Sequence, residues 1–158
     1  MRVDKKKLAI CLLIPLVGGA ISGWISRGGM EAFQQLNQPP MSPPGWLFPV
    51  VWTILYLMMG LASYLVVTSE EAFPAERNSA LTVYGIQLAM NFAWSIIFFH
   101  LEMRLLAFFW LVHIWLLIIL CIRLFKDISP TAAKLMLPYL LWVTFAGYLN
   151  LFVYLLNK

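Results

Sequence analysis

An all-α membrane protein built as a five-transmembrane-helix bundle is what this sequence predicts, and three observations carry the prediction. First, of 158 residues 62% are hydrophobic and only 11% charged, where a soluble domain carries about 25% charged residues. Second, five apolar stretches of bilayer-spanning length alternate with short polar connectors; a bilayer needs about 20 such residues per helix. Third, seven tryptophans and an aromatic share of 15% exceed what a core needs and suit membrane interfaces and ligand pockets. The whole chain, 1–158, reads as a single five-span domain, with spans at about 8–26, 46–67, 79–99, 105–122 and 131–156.

The first span follows Lys5, Lys6 and Lys7. Its start resembles a signal peptide, but the apolar run is long enough to read as an uncleaved first span. Gly19 and Gly23 form a GxxxG pair, which lets another helix backbone approach closely. Packing inside the chain's own bundle is the preferred reading, and a dimer face is the alternative. A polar connector is expected over 28–45, with the MEAFQQL segment forming a short amphipathic turn on the bilayer surface or over the bundle mouth.

Pro39 to Pro44 then place four prolines in six residues, which excludes helix interior and central strand. Pro43, Pro44, Gly45 and Trp46 form a stiff cap leading into the second span. Pro49 sits in that span's first turn, where a missing N–H costs nothing. No charged residue occurs between Glu31 and Glu70. The 68–78 connector reads as an exposed loop and residues 100–104 as a tight turn. The fourth span is apolar all round except for His113, and a basic connector covers 123–129. Ser129-Pro130 is a helix start, N-cap followed by proline at N1. Pro138 interrupts the hydrogen-bond ladder of the fifth span and predicts a kink.

The Lys and Arg residues divide eight to three: Arg2, Lys5, Lys6, Lys7, Arg77, Arg123, Lys126 and Lys134 against Arg27, Arg104 and Lys158. That asymmetry predicts a cytoplasmic N-terminus, with the proline cap outside. The net charge of +4 flanks apolar spans, which points to acidic headgroups rather than nucleic acid.

Polar side chains at membrane depth need partners. Trp52 and Tyr56 lie i, i+4 on the second span. The third span carries Gln87 and Asn91, with Trp94 on the same face. The fifth carries Tyr139, Trp142, Ala146 and Asn150, spaced 3, 4 and 4. If these faces converge, they line an aromatic cavity with few hydrogen-bonding groups, suited to a flat, largely apolar ligand. Interhelical hydrogen bonding at about 0.6 kcal/mol per bond is the equally weighted alternative. His113 stands without a second His, Cys or carboxylate at ligand spacing. It reads as a neutral packing histidine rather than a haem ligand or proton relay. Cys11 and Cys121 read as small packing residues. No GxSxG, HExxH or phosphate loop occurs, so no required cofactor, metal site or firm catalytic residue is expected.

Three blocks, PPMSPPGWLFPVVWTILYLMMG, QLAMNFAWSIIFF and LPYLLWVTFAGYLN, resemble the tryptophan-rich sensory protein/translocator protein (peripheral-type benzodiazepine receptor) family. The resemblance implies a five-helix membrane receptor or carrier, commonly a homodimer in the cell membrane, here a bacterial inner membrane. Its cavity between the second, third and fifth helices takes porphyrins such as protoporphyrin IX and haem beneath the first loop. Matching positions assign Trp52, Tyr56, Asn91, Trp94, Trp142 and Ala146 to the pocket. The resemblance also implies an alternative, light-dependent porphyrin breakdown through Trp52 and Trp142. A purely structural membrane dimer is the third reading. The chain lacks the loop tryptophans common in the family, at positions matching Ala32 and Pro40. Its segment 151–158 fits the loose sterol pattern, yet sterol binding is not the expected role.

Overall fold

The computed structural model describes residues 2–158. Five helices account for nearly all of them: α1 (Lys5–Gln34), α2 (Leu47–Val67), α3 (Pro74–Ser95), α4 (Arg104–Ile128) and α5 (Pro130–Leu156). All five are long and apolar enough to cross a bilayer. They form a closed ring in the order α1–α2–α5–α4–α3, with α3 returning to α1. The surface confirms the solvent this bundle is built for. Leu13, Ile14, Val17 and Ile21 of α1 and Leu141 of α5 point outward, where lipid rather than water covers them without cost.

Every helix boundary has a local cause. Asp4 caps α1 by accepting from the Lys7 amide at 3.1 Å, satisfying one of the four free N–H groups of the first turn. The helix then runs on to Gln34, beyond the expected end at residue 26. Gly28 and Gly29 do not break it. Gly29 has no room for a side chain because the Phe99 carbonyl lies against it, and Phe33 meets Phe98 and Phe99 edge-on at 5.5 and 5.4 Å. Tertiary packing outweighs the weak helix propensity of two glycines. The MEAFQQL segment is therefore no separate surface turn: through Gln34 it is the final stretch of α1, and the loop begins at Gln35.

Two further connectors are shorter than expected. α3 begins at Pro74, with Glu76 in its first turn, so the loop ends at Phe73 rather than at 78. Phe73-Pro74 was the start signal, proline at N1 followed by an acidic residue. Likewise α4 continues through Arg123 and Lys126 to Ile128, and the expected basic connector is helix. Phe125, fully buried and stacked with Tyr84, anchors that last turn. Ser129 alone joins α4 to α5. It caps α5 by accepting from the Ala132 amide, with Pro130 at N1. α5 then runs through Pro138 to Leu156 as one helix.

α3 ends in a π-helical turn, Ile96–His100, closed by a Leu101 N–H to Ile96 carbonyl bond of 2.9 Å. Such turns insert a residue into the helical count and rotate the downstream side chains about the axis. Here the turn aims Phe98 and Phe99 back toward α1. Close crossings rest on small residues. Gly60 of α2 faces the Cys11 carbonyl and Leu12 of α1, and Ser22 donates to the Phe92 carbonyl at 2.7 Å. Cys11 and Cys121 are buried and free. His113 is not a packing residue: it lies exposed on the outer face of α4, its Nδ1 hydrogen-bonded to the Phe109 carbonyl at 2.8 Å.

Candidate aromatic cavity

A cavity of about 270 Å³ lies between the helices. Trp52 and Tyr56 of α2, Asn91 and Trp94 of α3, and Trp142 and Ala146 of α5 all line it. These six, the positions that the family resemblance matches, come together from three helices. Trp52 stacks on Tyr56 with centroids 5.5 Å apart, and Phe48 stands edge-on to Trp142 at 6.0 Å. Each offers a wide face to a flat ligand.

Tyr139 and Asn150 do not line the cavity; they brace its walls from behind. Tyr139 has no exposed surface. Its hydroxyl donates to Gln87 Oε1 at 2.8 Å and accepts from Asn91 Nδ2 at 2.7 Å. Asn91 Oδ1 in turn accepts from the Tyr56 hydroxyl at 3.0 Å. A polar chain thus runs from the cavity wall into the core, each link holding the next in one orientation. Asn150 accepts from the Trp94 indole N–H at 3.2 Å and donates to the Arg104 carbonyl at 2.7 Å. It fixes the Trp94 ring and the start of α4 together. The polar faces therefore divide: Gln87, Tyr139 and Asn150 join helices, while Asn91 does this and also faces the cavity.

α1 is the wall that helix spacing alone did not assign. Gly19, Ser22, Gly23 and Met30 complete the cavity, so it lies between four helices rather than three. The signal was present in the stripe Gly19, Ser22, Gly23, Ser26, small residues 3 and 4 apart. A side chain at Gly19 would run into the Tyr56 ring, whereas one at Gly23 would meet nothing within 4 Å. The GxxxG pair is an internal seat for an aromatic ring at one position and open at the other.

A second chamber of about 200 Å³ sits under the loop and shares Met30, Phe48 and Phe99 with the first. Pro43 and Gly45 line it; Pro44 and Trp46 do not, and Trp46 is 67% exposed. The loop turns at Met41, whose φ of 68° lies in the left-handed region that side chains disfavour. α5 straps it down. Asn157 accepts from the Asn37 amide at 3.0 Å and donates to the Asn37 carbonyl at 2.9 Å, and the Tyr148 hydroxyl donates to the Pro40 carbonyl at 2.8 Å.

Neither chamber is lined by a charged residue, histidine or cysteine. Among the described residues no group of three His, Cys, Asp or Glu is placed to hold a metal ion. The walls can stack, exclude water and hydrogen-bond through neutral groups. They offer no nucleophile with an adjacent base.

Fold and cavity define a multi-pass, five-helix membrane protein with an aromatic cavity between its helices and a smaller chamber beside it that the first loop helps to line. The sequence model of the TspO/MBR family matches residues 11–155, and the chain belongs to that family. It is 38% identical to the tryptophan-rich protein TspO of Chlorobaculum tepidum over 95% of both chains. It is 39% identical to the translocator protein homolog of Schizosaccharomyces pombe, covering 92% of this chain and 88% of that one. With the translocator protein of Bos taurus it shares 34% identity over 87% of this chain and 82% of the relative.

Proposed function

We propose that this protein is a receptor or carrier that binds porphyrins, protoporphyrin IX above all, and similar flat hydrophobic ligands, in tetrapyrrole handling or stress sensing. The observation that carries the reading is the pair Trp52 and Trp142 on the walls of one uncharged cavity. A planar macrocycle presents a large apolar face, and indole is a wide, rigid partner for it. The names of the relatives, sensory protein and translocator, fit a binding role. With no histidine or cysteine on the walls, haem would be held by its face rather than by a histidine or cysteine on its iron. The resemblance also motivates the second reading, that Trp52 and Trp142 support light-dependent breakdown of the bound ring.

Titrating purified protein with protoporphyrin IX in darkness, then under light, separates these. Binding with an unchanged spectrum in the dark is expected. Trp52→Ala and Trp142→Ala are each expected to weaken it at least about tenfold, since 1.4 kcal/mol is one decade and truncating a central aromatic anchor commonly costs 2 kcal/mol or more. Trp110, whose indole N–H donates to the Met90 carbonyl away from the cavity, is the control: Trp110→Ala should leave affinity nearly unchanged. Equal loss in all three variants sinks the site. Assembly as a homodimer and a cytoplasmic N-terminus belong to the same proposal. A reporter active only in the cytoplasm should work at Met1 and fail at Lys158; the reverse would overturn the orientation.

A further inference from the structure

Resting on that reading, we propose that the loop chamber is the subsite for the ligand's carboxyl-bearing edge, with Gln34 as its principal donor. The ligand would then lie with its apolar face deep against Trp52 and Trp142 and its polar edge outward under the loop.

Size is the first argument. The aromatic chamber alone, about 270 Å³, falls short of the roughly 300–1,000 Å³ usual for ligand sites; joined to the loop chamber it falls within that range. The two share Met30, Phe48 and Phe99 as walls and so lie side by side, and in this proposal one molecule occupies both.

Polarity is the second. The loop chamber offers Gln34, Gln38 and Ser42. Two of these are already engaged: Gln38 Nε2 donates to the Phe33 carbonyl at 2.9 Å, and the Ser42 hydroxyl donates to the Pro39 carbonyl at 2.9 Å. Gln34 makes no side-chain hydrogen bond among the described residues, and its amide nitrogen lies against Gly45. A side chain at position 45 would occupy that place, so the glycine in the proline cap keeps the amide's position open.

Electrostatics decides the orientation. No cation lines either chamber, so a carboxylate buried against the tryptophans would lose its water with no opposite charge to meet it. At the mouth, where Gln34 is exposed, it keeps its water and gains a charge-assisted hydrogen bond.

The test compares protoporphyrin IX with its dimethyl ester on the full chain, read by quenching of tryptophan fluorescence. Wild type should bind the free acid more tightly than the ester. Gln34→Leu should weaken the free acid about fivefold to tenfold and leave the ester within about twofold. Gln34→Lys should tighten the free acid severalfold, with the ester again unmoved. Equal changes for both ligands would show that Gln34 merely supports the loop and would overturn the subsite, as would a free acid indifferent to both variants. If wild type took up neither ligand, the porphyrin reading itself would fall, and the subsite with it.

Discussion

Gly19 offers the sharpest test of how the cavity is built. A methyl group added there would overlap ring carbons of Tyr56. That ring cannot yield freely. It stacks on Trp52 and its hydroxyl donates to Asn91 Oδ1. Overpacking of this kind costs about 1–3 kcal/mol, and a displaced hydroxyl leaves Asn91 Oδ1 unpaired at a further cost of about 1–3 kcal/mol. Alanine returns roughly 1 kcal/mol in helix propensity. Tyr56 borders empty cavity, so part of the strain is relieved by the ring swinging inward, which places the net for Gly19→Ala near the lower end of those ranges. The same swing fills the space a ligand needs, so affinity for protoporphyrin IX should fall about tenfold, or 1.4 kcal/mol. Gly23→Ala is the partner measurement, because a side chain there meets no heavy atom within 4 Å; its stability should rise by up to about 1 kcal/mol, the helix-propensity gain alone. Thermal unfolding in detergent followed by tryptophan fluorescence, with a dark titration of each variant, reads both effects. If Gly23→Ala proved as damaging as Gly19→Ala, the glycine pair would be sealed against a second copy of the chain, and the internal seat would be refuted.

Two other outcomes concern the bracing residues. Tyr139→Phe removes the acceptor of Asn91 Nδ2 and the donor to Gln87 Oε1, leaving buried groups unpaired at about 1–3 kcal/mol each; an unchanged melting temperature would show the polar chain to be dispensable. Asn157→Leu deletes both bonds to Asn37 and should speed proteolytic cleavage within residues 37–46 while leaving the helices protected, and cleavage at the wild-type rate would count against the strap.

The fold was legible because bilayer physics leaves few choices: long uncharged runs must be helices, and prolines and polar connectors must mark their ends. What misled was the use of polarity to place those ends. Arg123, Lys126 and Glu76 read as loop, yet they sit on helix turns; a helix end that reaches water or headgroups accepts charge without ending there. At about 1.5 Å per residue, the 30 residues of α1 reach roughly 45 Å, well past a core of about 30 Å. Gly28-Gly29 misled in the opposite sense, since the contacts of Gly29 and Phe33 with the π-helical turn cannot be read from either segment alone.

The residue types of the cavity wall were legible, but not their rotation about the helix axis. Tyr139, Trp142, Ala146 and Asn150 share one apolar-helix stripe, and nothing in their identities separates a lining residue from a bracing one. Helical geometry does. At about 100° per residue, Asn150 lies only about 20° from Tyr139, while Ala146 and Trp142 lie about 20° and 60° to the other side. The first pair faces α3 and α4, where Gln87, Asn91 and the Arg104 carbonyl are waiting; the second faces the cavity with Trp52. Which side of the stripe is which depends on α1, because Gly19 seats Tyr56, and Tyr56 orients the amide of Asn91, to which Tyr139 is bonded. A glycine on the first helix thus helps determine which residues of the fifth are free to meet a ligand.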